Sequence, residues 1–403
     1  MSTTSFDERL EQVVGDVATR RFGALDRRAL VRAVARVSDT YTRRRDRVDA
    51  LVGDDAALAA RLCFFLPRDL PKVGAVLREL ALADALPASR RWRVLDLGAG
   101  LGTTTFGTAR FAARTGAAQA LEVTAVDRDE RALAVLEDLA RQTDAMGAVP
   151  VAVKPKVADV ARLRPAELAG PFDLVVAGLF FNELAPPGGD DARWIAHFAE
   201  SLAAWSETLA EDGALLVIEP ALRETSRRLQ SVRDRLAARP GRPHVFAPCV
   251  RSGPCPMLAS PRDWCHTDLP GPLPARAAAL AQEAGLRAER RTFSHLTLRR
   301  RPGSLARAAA GRPGRAHRLV SAPLRSKGKV EVVGCGEDGL VRIMRLDRHA
   351  PSGSEVLGQA VRGSLVTVEG GRARGARLRL DAADRVHTVG AGAPGTEADP
   401  DRG

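Results

Sequence analysis

The sequence is poor in several things that would define its class. Only five cysteines occur in 403 residues, too few for the disulfide framework of a small secreted domain. A reduced cytoplasm is the natural setting, and cysteines that cluster there suggest a metal rather than a bridge. Aromatic residues make up 4% of the chain, with a single Tyr41, which argues against base-stacking platforms for nucleic acid. No run of 18 apolar residues exists, so a membrane span is excluded. The longest apolar stretch, Leu174 to Phe181, has the length of a buried strand. Asp7, Glu8 and Glu11 precede any apolar block, unlike a signal peptide or an Arg-rich transit peptide. Lysine is scarce as well, five among 61 basic residues, and with so much Ala and Gly this reads as GC-rich coding.

What is present is the mix of a soluble globular protein, 45% apolar and 27% charged. The length suits two or three domains. The formal charge of +12 is local. From Arg299 to Lys329 there are ten basic and no acidic residues, and the rest of the chain carries 51 basic against 49 acidic. A segment of that kind meets a polyanion or is a solvated linker. The residues that would touch RNA phosphates are Arg299, Arg300, Arg301, Arg325, Lys327 and Lys329.

Residues 1–90 read as helical, since Leu30, Val31, Val34, Ala35 and Val37 follow helical spacing and no proline precedes Pro67. From Trp92 short apolar runs alternate with helical segments, the signature of βαβ units and a parallel sheet. The expected strands are Arg93–Leu97, Leu121–Val126, Val149–Val153, Phe172–Ala177 and Ala214–Ile218. The expected helices are Thr103–Arg114, Glu130–Thr143, Ala161–Leu168 and Ala192–Leu209. Leu286–Arg291 and Ser294–Leu298 are expected to close the sheet as an antiparallel pair. That arrangement is an α/β class I methyltransferase variant of the Rossmann-like sheet, over residues 91–300. Between Pro240 and Pro274 lie nine prolines and three glycines, an irregular insertion (240–274) that excludes helix and central strand. A basic linker (301–317), a small barrel-like β domain (318–388) and a disordered tail (389–403) complete the expected organisation.

The loop Asp96-Leu97-Gly98-Ala99-Gly100-Leu101-Gly102 ends the first strand and opens a helix, where glycine lets backbone approach a ligand. Its Gly-x-Gly-x-Gly spacing does not mark a pyrophosphate site. Asp127 closes the second strand, where an acid accepts hydrogen bonds from two ribose hydroxyls. Asp96 suits the cationic amino-acid end of a ligand, directly or through water. Asp159 follows the third strand, where an adenine amino group would lie. Together these are the needs of S-adenosylmethionine. After the fourth strand, Asn182 and Glu183 either position a base or cap the next helix. No Asn-Pro-Pro-aromatic sequence occurs there, so the usual apparatus for methylating amino nitrogens is missing.

Three cysteines sit in the insertion as Cys249-x5-Cys255-x9-Cys265, and Cys335 follows after 69 residues. Four thiolates suit zinc or an iron–sulfur cluster. The spacing is not that of a zinc ribbon, and its wider loops leave room for a bulkier core. His266 is a substitute ligand or a supporting group. Cys63, in an apolar run, reads as a core thiol. Pro254-Cys255 is similar to the Pro-Cys pair of RNA cytosine-C5 methyltransferases, whose thiolate attacks the base, but its neighbours favour metal ligation.

His244–Cys249, Gly253–Pro256 and Asp263–His266, with Val94–Gly102, Asn182–Leu184, Phe293–Leu296 and Ser326–Val330, resemble one family. It comprises methyltransferase-like assembly factors of the mitochondrial small ribosomal subunit and their bacterial relatives. The resemblance runs from about residue 60 to 345. It departs at Val250-Arg251, where the family often has Pro-His, and at Cys335, flanked by Gly instead of the usual Leu-Cys-Thr. The resemblance implies a class I methyltransferase core, a [4Fe–4S] cluster on Cys249, Cys255, Cys265 and Cys335, and association with small-subunit rRNA during assembly. It implies an S-adenosylmethionine loop at Asp96, Gly98, Gly100 and Gly102. Two functions compete, an rRNA methyltransferase and a non-catalytic assembly factor that retains the fold; a zinc-stapled small-molecule methyltransferase is the third. A monomer in a bacterial cytoplasm is the expected form.

Overall fold

The computed structural model describes residues 5–181, 191–241, 243–287, 290–350 and 356–389. The helices are α1 (Phe6–Phe22), α2 (Arg27–Arg43), α3 (Asp55–Ala60), α4 (Leu66–Leu82), α5 (Thr103–Thr115), α6 (Glu130–Ala140), α7 (Thr143–Met146), α8 (Asp191–Ser206), α9 (Arg223–Ala237), α10 (Ala275–Glu283) and α11 (Val356–Gln359). The strands of the first sheet are β1 (Arg91–Leu97), β2 (Ala120–Asp127), β3 (Val151–Val157), β4 (Phe172–Gly178), β5 (Leu209–Pro220), β6 (His244–Ala247), β7 (Thr267–Pro270) and β8 (Arg290–Arg299). The second sheet holds β9 (Arg315–Leu319), β10 (Leu324–Ser326), β11 (Lys329–Gly336), β12 (Gly339–Leu346), β13 (Leu365–Glu369), β14 (Arg372–Arg374), β15 (Arg377–Leu380) and β16 (Arg385–Thr388).

The N-terminal helices form where the sequence supplies caps. Ser5 and Glu8 make a capping box for α1, and Asp26 and Asp54 accept from backbone N–H groups at the starts of α2 and α3. Between α3 and α4 the chain makes one wide π turn at Arg61–Phe65, a feature found often at functional sites. Then α4 lies directly on α5. Gly107 permits this, because a Cβ there would stand 2.7 Å from the Leu70 carbonyl oxygen.

The first sheet runs β3-β2-β1-β4-β5-β8-β6, with β7 also on β8. Strands β1 to β5 are parallel and β8 is antiparallel to β5 and β6. That strand order and the one reversed strand define the class I methyltransferase sheet. Alternate residues feed two cores. Val94, Val123 and Val176 pack beneath α1, α4, α5 and α6. Leu95, Val175 and Val217 pack beneath α8 and α9.

The closing strand differs from expectation. Residues 290–299 form one strand, not half of a hairpin with 286–291. Its partners are β5 and two four-residue strands, β6 and β7, from the proline-rich insertion. Proline tolerates edge positions of this sort. Residues 161–168 give only a 3-10 turn at Pro165–Glu167, since Pro165 removes a helical N–H donor. Residues 301–317, expected as a linker, contain a 3-10 turn with Leu305 wholly buried and the start of β9. The second sheet runs β14-β15-β12-β11-β9-β13-β16, an open path with two ends in place of a barrel. Its own core includes Val330, Val332, Ile343, Val366 and Leu380. The expected tail lies outside the described residues after Val389. No described helix is long and apolar enough to cross a membrane.

Candidate functional site

A cavity of about 410 Å³ opens at the carboxyl ends of β1, β2 and β4. Strand order reverses direction between β1 and β4, and open α/β sheets place ligands at that point. Gly98, Ala99, Gly100 and Leu101 form its floor, Asp127 and Asp159 its acidic wall, and Leu179 and Phe180 its far side. The loop is left-handed at Gly98, Gly100 and Gly102, with φ of 67°, 50° and 84°. A Cβ on Gly98 would meet the Phe180 ring at 2.5 Å. Gly102 does another job. It precedes α5 and packs against Phe106 and Leu136, away from the cavity.

The acids of the sequence reading occupy distinct layers. The Asp127 carboxylate shapes the loop, taking the Gly100 N–H at 2.8 Å and the Asp129 N–H at 2.8 Å. Asp159 accepts from Ala161 N at 3.0 Å and stays half exposed at the wall. Asp96 lies one layer below and is fully buried. Its Oδ2 accepts the hydroxyls of Thr104 and Thr105, tying the floor to α5, while Oδ1 has no hydrogen-bond partner. Burial pushes the Asp96 carboxyl up to about 6 despite those hydroxyls, and Asp127 adds to the rise. A raised carboxyl binds its proton more tightly in the folded chain, so its contribution to stability falls as pH rises from about 4 to 6. Asp96→Asn should therefore gain about 2 kcal/mol relative to the parent between pH 4 and pH 7. Denaturant titrations across that range read the difference, and a flat difference would show that Asp96 is already solvated.

The N-terminal helices supply a side of the cavity that sequence reasoning missed. The π turn presents Arg61 and Phe65, and α4 presents Arg68, Asp69 and Lys72. Arg61 pairs with Asp129 at 3.1 Å, and Lys72 pairs with Asp69 at 2.8 Å in a buried contact. Helical spacing showed a helix there, but nothing local showed that it covers a crevice. Leu179 adopts φ of 60° on the far side, a strained state for a bulky residue. Asn182 and Glu183, the expected catalytic pair, lie outside the described residues. Buried Glu219 accepts the Phe181 N–H at 3.0 Å and fixes the end of the loop that leads to them.

The four cysteines meet. Cys249, Cys255, Cys265 and Cys335 line one cavity of about 50 Å³ between the insertion and β11. Burial pushes all four thiols up, Cys255 to about 11 and Cys265 and Cys335 to about 12. Helix α9 braces the insertion. Arg233 donates to the carbonyls of Arg251 and Gly253 at 2.6 Å, and Asp234 accepts the Cys255 N–H at 2.9 Å. Gln230 donates to the Cys265 carbonyl at 3.2 Å, and Arg227 donates to the Ser260 carbonyl at 2.6 Å. Across the cavity, Arg318 of β9 pairs in register with Cys335 and forms a buried ion pair with Glu79 of α4, which also meets His295 Nε2 at 3.0 Å. Among the described residues, no group of three or more His, Cys, Asp or Glu side chains is arranged to hold a metal ion. His266 lines the cavity but turns its ring nitrogens to Arg362, 3.0 Å away. Burial and the cations Arg362 and Arg290 push it down to about 4. Cys63 sits among the N-terminal helices, away from the four.

The expected phosphate contacts divide. Arg299 is buried, donates to the Asp212 carbonyl at 3.0 Å and lies over the Phe246 ring. Arg300 is largely covered and donates to the Leu209 carbonyl at 2.9 Å. Arg299 turns inward as the last residue of strand β8, and Arg300, directly after it, is held against the start of β5. Arg301, Arg325 and Lys327 are exposed, although Arg325 also donates to the Gly358 carbonyl. Lys329 is half-buried and leans on Glu331 at 2.9 Å.

A family model described as mitochondrial small ribosomal subunit Rsm22 matches residues 58–351. No curated protein matches the chain. Solved structures overlap it in part. TrmN from Thermus thermophilus is 22% identical over 41% of this chain and 44% of that one, with a TM-score of 0.27. The chain thus spans less than half the length of that protein. A precorrin-6y C5,15-methyltransferase from Geobacter metallireducens is 14% identical over 55% of this chain and 86% of that one, with a TM-score of 0.30. An S-adenosylmethionine-dependent methyltransferase from Clostridium acetobutylicum is 14% identical over 52% of this chain and 65% of that one, with a TM-score of 0.26. The fold assignment rests on strand order and not on these partial overlaps.

Proposed function

This chain belongs to the family described as mitochondrial small ribosomal subunit Rsm22, and on that premise we propose that it binds S-adenosylmethionine and acts on small-subunit rRNA during ribosome assembly. The observation that carries the reading is the cavity at the β1–β4 reversal, floored by left-handed glycine backbone and walled by Asp127 and Asp159. The residues suit the cofactor. Asp127 would take the ribose hydroxyls and Asp159 the adenine amino group. Asp96, with one unpartnered buried oxygen, would answer the cationic amino end, directly or through water. S-adenosylmethionine supplies an electrophilic methyl group. The protein's part is to hold it with its cation compensated and water excluded.

We assign Cys249, Cys255, Cys265 and Cys335 to a [4Fe–4S] cluster. Four thiols around one cavity supply the donor set of a [4Fe–4S] core or of zinc, and the resemblance of the cysteine box favours the cluster. Buried Arg233 and Arg318 would balance thiolate charge. The cluster would fasten the insertion to the second sheet and take no part in methyl transfer.

The test is transfer of labelled methyl from S-adenosylmethionine to immature small subunits taken from cells lacking this protein. Label in rRNA, lost with Asp127→Ala, is the expected result. No label, with the protein still co-sedimenting with the subunits, would make it an escort of rRNA on a methyltransferase fold.

A further inference from the structure

One face of the second sheet is crowded with arginine. On β14 and β15, Arg372 stands directly opposite Arg379, and Arg374 opposite Arg377. On the other side of β15, Arg377 is in register with Arg342 of β12. Because side chains alternate along a strand, all five point to the same face. All five are exposed. The opposite face carries Leu378, Leu380, Ile343 and Val332 into the core.

Like charges directly opposite one another destabilise a sheet, so this arrangement works against the fold. Little compensates it. Arg372 reaches Asp381 at 3.3 Å while still 85% exposed, and Arg342 stands 3.9 Å from Glu331. Arg374, Arg377 and Arg379 have no ion-pair partner among the described residues. Guarding a sheet edge against aggregation explains charge on β14, the terminal strand. It does not explain Arg377 and Arg379 on β15 or Arg342 on β12, which are interior. Coding bias explains arginine in place of lysine but not alignment on one face.

We propose that this face is a docking surface for the phosphate backbone of RNA, separate from the methyltransferase cavity. Successive arginines on one strand stand roughly 6.6–7 Å apart, comparable to the spacing of successive phosphates. Guanidinium groups take phosphate oxygens two at a time. No Phe, Tyr or Trp occurs from residue 301 on, so the face reads backbone and shape and not base identity. Four of its five arginines follow the stretch matched by the family, which ends at residue 351. The identity of the RNA as small-subunit rRNA rests on the function proposed above; the surface does not.

The test uses the full chain and a labelled RNA hairpin with a stem of about 16 base pairs. Arg372, Arg374, Arg377 and Arg379 are changed together to Gln in one variant and to Lys in another. The Gln variant should bind about 30-fold more weakly at low salt, and its log–log salt slope should flatten by about 3. It should also melt no lower than the parent, since like-charge pairs are gone. The Lys variant should keep most of the affinity. Unchanged binding by the Gln variant would overturn the proposal while leaving the small-subunit reading intact. Equal losses in both variants with lowered melting would make the arginines structural and overturn it too. Polyglutamate competing as well as unlabelled RNA would identify an acidic protein as the partner instead. If the parent binds neither the hairpin nor purified small subunits, both the surface and the reading beneath it fall.

Discussion

Changing Glu79 to Gln is expected to destabilise the protein by about 3–5 kcal/mol, because it strands a buried cation. Glu79 lies on α4, and its carboxylate receives Arg318 from β9 and His295 from β8. The Arg318 side chain is 4% exposed and that of His295 2%. Burial alone would raise Glu79, but Arg318 and His295 overcome it and hold the carboxyl down at about 2, against an ordinary 4.5. A depressed carboxyl stabilises the fold above its unfolded value, and that stability is lost as pH falls. The window here is about pH 4.5 down to 2. Urea titrations should show the parent losing stability steeply there and Glu79→Gln losing less. Glu79→Gln combined with Arg318→Met should recover part of the deficit, since no buried charge is then left unpaired. A deficit below about 1 kcal/mol at neutral pH would mean that water already reaches the triad.

The second large effect is expected at the four-cysteine cavity. Protein purified without oxygen should carry about four iron atoms per chain with equivalent sulfide. Serine at Cys249, Cys255, Cys265 or Cys335 should each remove more than half of that iron and lower the melting temperature, because metal binding energy becomes folding energy. Cys63→Ser is the control. Its thiol is pushed up to about 11 by burial and packs among the N-terminal helices, so iron should be unchanged. One zinc per chain would replace the cluster with a simpler staple, and neither metal would remove the assignment.

The parts of this fold that were legible in the sequence are those fixed by local signals. Strands β1, β2, β4 and β5 announce themselves as apolar runs, and Gly98, Gly100 and Gly102 punctuate the first crossover. The cysteines were legible because they are rare. What escaped depends on distant partners. Strands β6 and β7 have four residues each and exist only because β8 runs between them and β5. Arg299 and Arg300 count as surface charge in a sequence, yet the carbonyls of Asp212 and Leu209 draw both inward. Asp69 and Lys72 look like an ordinary solvated pair on a helix, and only the docking of α4 on α5 shows them to be a cavity wall. The register that stacks Arg372 on Arg379 needs a paired strand before it has meaning.

The clamp between Glu79 and Arg318 joins positions 239 residues apart, and that sets an order of events as the chain is made. Glu79 and three of the four clustered cysteines emerge early. Arg318 and Cys335 come last, and they come together, because β9 and β11 place them opposite each other. At ordinary rates of translation the interval between Cys249 and Cys335 is on the order of ten seconds. From Cys265 until Arg318 is made, the growing chain holds three thiols without the fourth and a carboxylate without its cation. The β9–β11 pairing then sets Arg318 and Cys335 side by side at the cavity. A chain stopped short of Arg318 therefore has the Glu79 carboxylate without its cation and three thiols without the fourth.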